Sequence, residues 1–361
     1  MNAASSQHKV DVLVVGLGPG GGSAAWQAAR AGLRVLGIDK KRQVGLPVQC
    51  AEFIPLPLGR YADRPVRVQN ITGMKSYLPS GSVAQTDFPG LMIDRQAFDA
   101  AFAAKARAAG AELLINTRLR SLYIDEQVAL LETPAGSSEV HYELLIAADG
   151  PHSPCARLLG WPEQPTVNTR QYTVPLKRAY SDTDIWLSDA YPGGYAWLFP
   201  KGKVANIGLG ADKNFTHDLK QPLDELHRQL HEQGLVGEEI LARTGGAIPV
   251  GGLRERLSEK RIVFVGDAAG LTHPITGAGI SAAVISGERA GQAAVDLLAG
   301  DQDALADYEE DIRDQFEQTL QRAVARRQWL RQHWRTPRAQ QDEIQRRGWI
   351  AFEEYFGEPA A

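Results

Sequence analysis

The 361-residue sequence has two cysteines, three methionines and an aromatic content of 7%. Two cysteines cannot support a disulfide framework. Long hydrophobic runs are missing too, and none is long enough to cross a bilayer as a helix. Neither sign of charge is in excess. Lys and Arg number 39 against 43 Asp and Glu, a formal net charge of -4, which gives no global attraction to nucleic acid. The leader MNAASSQH lacks the charged and apolar regions of a signal peptide. The expectation is a soluble cytoplasmic protein, in a reducing compartment, with no nucleic-acid partner. No internal repeat or low-complexity linker interrupts the chain. Its length predicts two intimately packed domains. His227 and His231 share a helix face with no further ligand motif nearby, so they read as a solvated face and not a metal site.

What is present is punctuated by glycine. Val10–Val15 (VDVLVV) is a nearly continuous apolar run and reads as a buried parallel strand. Gly20–Ala31 reads as an Ala-rich helix closed by Gly32, and Arg34–Asp39 as the next parallel strand. Together they form a βαβ unit. From about 43 to 89 the helical period is lost, and loops with short strands are expected. Asp94–Ala109 reads as a helix ended by Gly110, and Glu112–Ile115 and Leu144–Ala148 as further strands of the first sheet. From about 171 to 211, β-branched and aromatic runs broken by Gly and Pro predict an antiparallel sheet. The segment 219–244 reads as mostly helical. Arg261–Val265 returns to a buried parallel strand, and Gly279–Leu298 is a long Ala-rich helix.

Three segments carry chemistry. In GLGPGG, Gly16 permits a tight turn, Gly18 lets a pyrophosphate approach the backbone, and Gly21 lets helix and strand pack closely. The helix N-terminus offers free N–H groups and a positive dipole end to phosphates. Asp39, at the end of the second strand and followed by Lys40, is placed to accept from ribose hydroxyls. This motif alone does not separate FAD from NAD. The second segment is Gly266–Gly279, GDAAGLTHPITGAG, again after a buried strand. An acid there, Asp267, can bind a ribityl hydroxyl of a flavin. The Gly277, Ala278, Gly279, Ile280 turn opens a helix whose N–H groups can face the pyrimidine edge, and Pro274 lies in the same loop. The third is ADGPHSPCAR, with Asp149 and Gly150 after a strand and Ser153 as a helix cap. It reads as a third flavin element or as a bare strand–helix corner.

In this order the three segments resemble glutathione-reductase-type flavoproteins with the para-hydroxybenzoate hydroxylase fold. Within that group the chain resembles the geranylgeranyl reductase family. Pro47–Glu52 (PVQCAE) is similar to the family's P-x-x-C segment and Asp94–Asp99 (DRQAFD) to its R-x-x-F-D helix start. Pro192–Pro200 (PGGYAWLFP), continuing to KGKVANIGLG, is similar to its Y-x-W-x-F-P signature, and GDAAG-x-x-x-P-x-T-G-x-G-I to its second flavin motif. Two departures, Ala51 where the family often has Gly and Ala278 where it often has Glu, bear on the substrate more than on the fold.

The resemblance implies an α/β fold: a glutathione-reductase-type FAD-binding Rossmann domain interrupted by a mostly antiparallel substrate domain, with a helical C-terminal tail. The expected division is 1–75, 94–165 and 256–300 for FAD, 76–93 and 166–255 for substrate, and 301–361 for the tail. FAD is the implied cofactor, and NADPH or a ferredoxin the electron donor. Cys50 stands at the family's active-site cysteine; it reads as a proton donor or as a buried structural thiol. Glu52 is a second acid there or a solvated loop carboxylate. Arg95 is implied near the FAD pyrophosphate or is a solvated helix start. Tyr195, Trp197 and Phe199 alternate and so share one strand face. That face borders an apolar substrate cavity or is plain sheet packing. His273 contacts the flavin edge or is a loop residue. Cys155 reads as structural.

The implied activity is reduction of carbon–carbon double bonds in an isoprenoid chain or related lipid. A monooxygenase of the same fold and a non-catalytic flavin-binding protein remain alternatives. A quinone-reducing electron-transfer partner is disfavoured, because such relatives carry four cysteine ligands for an iron–sulfur cluster. The tail has eight arginines from Arg322 to Arg347, with Trp329, Trp334 and Trp349 among or beside them. It reads as a helix packed through Phe316, Leu320, Leu330 and Trp334, or as a peripheral membrane or partner contact.

Overall fold

The computed structural model describes residues 7–334 and 336–357. Two sheets organise them. The first has eight strands. Its central strand is Gln7–Val15, flanked in parallel by Val35–Asp39 on one side and Gly136–Ala147 on the other. Glu112–Ile115 extends it beyond Val35–Asp39, and Ile262–Phe264 extends it beyond Gly136–Ala147, both in parallel. The central strands are buried on both faces, which explains their unbroken apolar runs.

Seven helices follow in chain order. α1 (Pro19–Arg30) completes the βαβ unit. α2 (Arg95–Ala108) starts at Asp94, whose side chain accepts from the Ala97 amide, and stops before Gly110 at φ +101°. α3 (Pro154–Leu158) is capped by Ser153. α4 (Lys220–Glu232), α5 (Ile280–Leu298), α6 (Ala304–Arg331) and α7 (Asp342–Gly348) complete the set. α1 and α5 lie almost backbone to backbone. A Cβ on Gly287 would stand 2.1 Å from the Gly20 carbonyl oxygen, and Ser23 Oγ donates to the Val284 carbonyl of α5. The contact joins the first turn of α1 to the early turns of α5, so two helix N-termini meet at the same end of the first sheet.

The second sheet has nine strands and is antiparallel except where Asp182–Trp186 pairs in parallel with Arg67–Tyr77. Arg67–Tyr77 and Val83–Ile93 are two 11-residue strands, where only loops and short strands were expected. Because Arg67–Tyr77 hydrogen-bonds within this sheet, residues 67–75 sit with the strands of the second sheet and not with the first, where the expected division at 75 had placed them. The helical expectation for 219–244 also ends early: Ala242–Thr244 is a strand on Thr166–Pro175. Of the two histidines expected on a solvated face, His231 is exposed but His227 is buried. His227 Nε2 meets the Gly237 carbonyl at 2.9 Å and His231 Nδ1 the Val236 carbonyl at 3.2 Å, tying α4 to the turn after it.

Among the described residues no helix is long and apolar enough to cross a membrane, and no cluster of metal-ligating side chains occurs. α6 packs on α5, and its Tyr308, Ile312 and Leu320 enter the core of the first sheet.

Candidate active site

The three glycines of GLGPGG have distinct structural roles. Gly16, at φ +101°, has no room for a Cβ, which would lie 2.3 Å from the Ala148 carbonyl oxygen. Gly21 packs on the turn itself, its missing Cβ 1.8 Å from the Gly16 oxygen. Around Gly18 nothing lies within 4 Å. Gly18 is also the N-cap of α1, and no side chain caps that helix end. Asp39 braces this turn. One carboxylate oxygen accepts from the Leu17 amide (3.0 Å) and the other from the Lys41 amide (2.8 Å). Lys40 is exposed beside it. This open, uncapped and positively polarised turn fits a dinucleotide pyrophosphate.

The loop after Ile262–Phe264 arrives at the same sheet end. The Gly266 amide donates to Ser286 Oγ of α5 (3.0 Å), and Asp267 accepts from the Thr272 hydroxyl. Burial pushes the Asp267 carboxyl above its ordinary value. Gly279 must be glycine for packing, because a Cβ would lie 2.6 Å from Thr272 Oγ1. Gly277 takes φ +70°, and Pro274 is buried while Ala278 is exposed. The α5 N-terminus at Ile280 carries no side-chain cap. His273 is not a free loop residue. Its Nδ1 accepts from the Ile275 and Thr276 amides at 3.3 and 3.2 Å, so Nε2 carries the proton of the neutral ring. Burial lowers its pKa to about 4, which keeps it neutral.

Asp149 is committed to local structure. It accepts from Ser153 Oγ (2.7 Å) and from the Cys155 amide (2.8 Å), fixing the strand–helix corner, and Gly150 follows at φ +85° with open space where its Cβ would be. Cys155 is fully buried, as its structural reading requires.

Cys50 lies beside Gln171 of the second sheet and Arg95 of α2. It is partly exposed. Burial of the thiol among protein atoms nevertheless pushes it above its ordinary range, with the Arg95 guanidinium opposing the rise. Cys50 is therefore a thiol at neutral pH. Arg95 is no solvated helix start: it forms a two-point ion pair with buried Asp99 at 3.1 and 3.0 Å. Glu52 is not a solvated loop carboxylate either. It is 4% exposed. Its Oε1 accepts from the Arg95 amide (2.9 Å), its Oε2 from Asn206 Nδ2 (2.9 Å), and both oxygens from Lys201 Nζ (2.8 Å). Glu52 also holds a left-handed φ of +72°, costly for a residue with a Cβ, and its amide donates to Cys50 Sγ at 3.2 Å. The buried ion pair holds the bend that aims the thiol.

Tyr195, Trp197 and Phe199 do share one face. Ring centroids of Tyr195 and Trp197 are 5.7 Å apart, and Phe199 meets Phe53 at 6.1 Å. Trp197 pairs in register with Gly208, which pairs in turn with Gln171. A Cβ on Gly208 would stand 2.4 Å from the indole, so the glycine lets the ring cross a whole strand. Its Nε1 then donates to Gln171 Oε1 (3.1 Å), and Gln171 Nε2 donates to the Cys50 carbonyl (3.1 Å). The Tyr195 hydroxyl donates to the Thr276 carbonyl in the Gly266–Gly279 loop. Trp197, Tyr195, Phe199, Ala51 and Ile275 consequently belong to one apolar cluster.

Gln171, Lys201 and Asn206 were not singled out from sequence. Lys201 and Asn206 stand inside the FPKGKVAN segment, where alternation from Phe199 places Lys201 on the same face. Gln171 leaves no sequence signal, since only strand register brings it to Trp197.

The profile described as the geranylgeranyl reductase catalytic domain matches residues 166–248, the strands that carry this aromatic face. A profile of lycopene cyclase protein matches 215–347. The chain is 35% identical to digeranylgeranylglycerophospholipid reductase 1 of Methanopyrus kandleri, over 85% of this chain and 88% of that one. It is 33% identical to the digeranylgeranylglycerophospholipid reductase of Methanosarcina acetivorans, over 86% and 81%. Among solved structures, a geranylgeranyl bacteriochlorophyll reductase-like protein of Thermoplasma acidophilum superposes with a TM-score of 0.83 at 29% identity, covering 90% and 88%. The p-nitrophenol 4-monooxygenase of Pseudomonas putida, at 18% identity and a TM-score of 0.71 over 95% of each chain, shares the fold alone. With identity of this extent over more than four fifths of its length, the chain belongs to the geranylgeranyl reductase family of FAD-dependent oxidoreductases.

Proposed function

We propose that this enzyme reduces carbon–carbon double bonds of a geranylgeranyl-type isoprenoid chain, or of a lipid that carries one. One observation carries the reading: the Cys50 loop, the Tyr195–Phe199 face and the Gly266–Gly279 loop converge on one apolar cluster. A protonated thiol beside an aromatic wall suits an apolar chain that needs a proton and offers no polar handle.

FAD would be held by the Gly16, Gly18, Gly21 turn with Asp39 and Lys40, by the corner that Asp149 shapes before Gly150, and by Gly266, Asp267, Pro274, Gly277, Ala278, Gly279 and Ile280, with Arg95 and Cys50 completing the set. When bound, FAD supplies the electron pair that saturates the double bond, as hydride to one carbon. The protein's part is to hold the chain against the aromatic face, exclude water and keep a proton at Cys50 Sγ for the other carbon. Glu52, Lys201 and Gln171 fix where that sulfur sits. Hydride plus proton balance the reduction. The electron donor is NADPH, bound transiently, or a ferredoxin; turnover with each donor alone distinguishes them. Approach to the substrate is at a membrane surface, through the basic tail.

The test is to reduce the holoenzyme anaerobically and add a geranylgeranyl lipid. The product should gain two hydrogens per reduced bond, with solvent deuterium on one carbon of each pair. A product that forms only when oxygen is admitted and gains an oxygen atom replaces this reading with hydroxylation.

A further inference from the structure

The tail does more than cover the first sheet. After α6 the chain crosses to the second sheet and enters the apolar cluster at the active site. Trp349 and Phe352 are 3% and 4% exposed and pack in the same cluster as Tyr195, Trp197 and Phe199. The Trp349 ring lies 4.8 Å from that of Tyr195, and its Nε1 donates to buried Ser76 Oγ at 3.1 Å. Six residues further on, Tyr355 reaches the Gly266–Gly279 loop. His273 Nε2 donates to its hydroxyl oxygen at 3.4 Å.

This crossing is anchored. Arg326 is 1% exposed, and its Nε donates to the Tyr355 carbonyl (2.9 Å) while Nη2 reaches the Gly357 carbonyl. Its neighbour Arg327 is also buried, donating to the Gly193 carbonyl (2.7 Å) and pairing with Asp212 (3.1 Å). Gly193 belongs to the turn that leads into Tyr195. Two consecutive arginines of α6 therefore hold the tail and the aromatic strand to each other. Burying guanidinium groups is costly, and here the cost is offset by bonds that join two walls of one site.

Resting on the proposed isoprenoid reduction, we infer that residues 349–355 form a third wall of the substrate site, in which Trp349 and Phe352 touch the apolar chain and determine which chains the enzyme accepts. The aromatic strand supplies one wall and the Cys50 loop a second. Trp349 faces Tyr195 across the cluster, and Phe352 packs beside it, with Arg346 stacked on its ring at 4.5 Å. Removing either ring opens space within the cluster and leaves the Gly-rich turns, Cys50 and Glu52 unchanged in sequence.

The test uses the full-length holoenzyme with Trp349→Ala, Phe352→Leu and the conservative Trp349→Phe. Binding of geranylgeraniol is read from the perturbation of the bound flavin's visible spectrum, and turnover is read separately. Trp349→Ala should weaken geranylgeraniol binding about tenfold, the order expected for one lost aromatic contact. It should also shift preference toward longer or bulkier isoprenoid alcohols, with flavin content and reduction by dithionite unchanged. Trp349→Phe should recover most of the affinity. If Trp349→Ala does not hold flavin, Phe352→Leu carries the same reading. Variants that keep flavin and bind the same chains with wild-type affinity overturn the third wall and leave the reductase reading intact. Wild-type binding that Trp349→Ala weakens, with no reduction by either enzyme, keeps the wall and removes the reductase reading. Absence of any geranylgeraniol binding to the wild type overturns both.

Discussion

At Cys50, local charge and burial act against each other. A cationic neighbour favours thiolate, which is the state a nucleophile needs. Burial favours the neutral thiol and is the larger effect here, so Cys50 keeps its proton. The protonated state is the one the proposed proton donor requires. The pH dependence follows in sign. Activity should be flat through neutral pH and fall as pH rises through the raised thiol pKa, where the donor is lost. Cys50→Ala should retain flavin and fold but slow substrate reduction by about 10²–10⁴-fold, the usual range for a missing acid–base group. Stopped-flow measurement of substrate-dependent flavin reoxidation across pH 6 to 10 checks both points. An unchanged rate in Cys50→Ala would return the residue to a structural role. Glu52 was readable as an acid near the site, but its task was not. Its carboxylate is spent on Lys201, Asn206 and the Arg95 amide, two of which lie about 150 positions away in the chain.

At the scale of elements, the outcome depends on whether the partners of a segment are its sequence neighbours. The βαβ unit was legible because its strand, turn, helix and next strand follow one another and are buried on both faces. The strands Arg67–Tyr77 and Val83–Ile93 were not. Their outer halves are largely exposed, apolar Val68 and Val83 included, Gly73 and Pro89 interrupt them, and the next strand in the sheet, Asp182–Trp186, comes more than 100 residues later. Within GLGPGG the space around the three glycines differs: Gly16 and Gly21 have no room for a Cβ, whereas nothing lies within 4 Å of one at Gly18. Gly18→Val should therefore fold with near wild-type circular dichroism and fail to retain FAD. Gly21→Val should fail to fold, because its Cβ would overlap the Gly16 carbonyl within the turn. Expression, circular dichroism and flavin absorbance of the two purified variants check the division. A Gly18→Val protein that stays yellow would move the pyrophosphate elsewhere.

Across the whole molecule, the tail serves both the interior and the surface, and its arginines must be counted separately for each. Composition suggested eight basic residues for a membrane, but Arg326 and Arg327 are buried, and Arg346 and Arg347 are paired with Glu354 and Glu343. Carbonyls of Tyr355 and Gly193 account for the burial, and no compositional reading can see them. Arg331 and Arg338 remain exposed, and Phe356, 58% exposed, lies beside Arg322. Each exposed basic residue near an anionic surface contributes about 1 kcal/mol, so the proposed attachment would be weak and reversible. Liposome co-sedimentation should rise with the fraction of anionic lipid and fall with salt, over a Debye length of about 8 Å at physiological ionic strength. Arg331→Glu with Arg338→Glu should reduce sedimentation while leaving the melting temperature unchanged. Arg327→Ala should do the reverse, because it leaves buried Asp212 without its cation and loosens the turn before Tyr195; losing one member of a buried pair costs about 3–5 kcal/mol. Sedimentation that ignores both lipid charge and salt would remove the membrane from this picture. The tail would then act through the interior alone, as the segment that joins α6 to the aromatic strand and closes the apolar site.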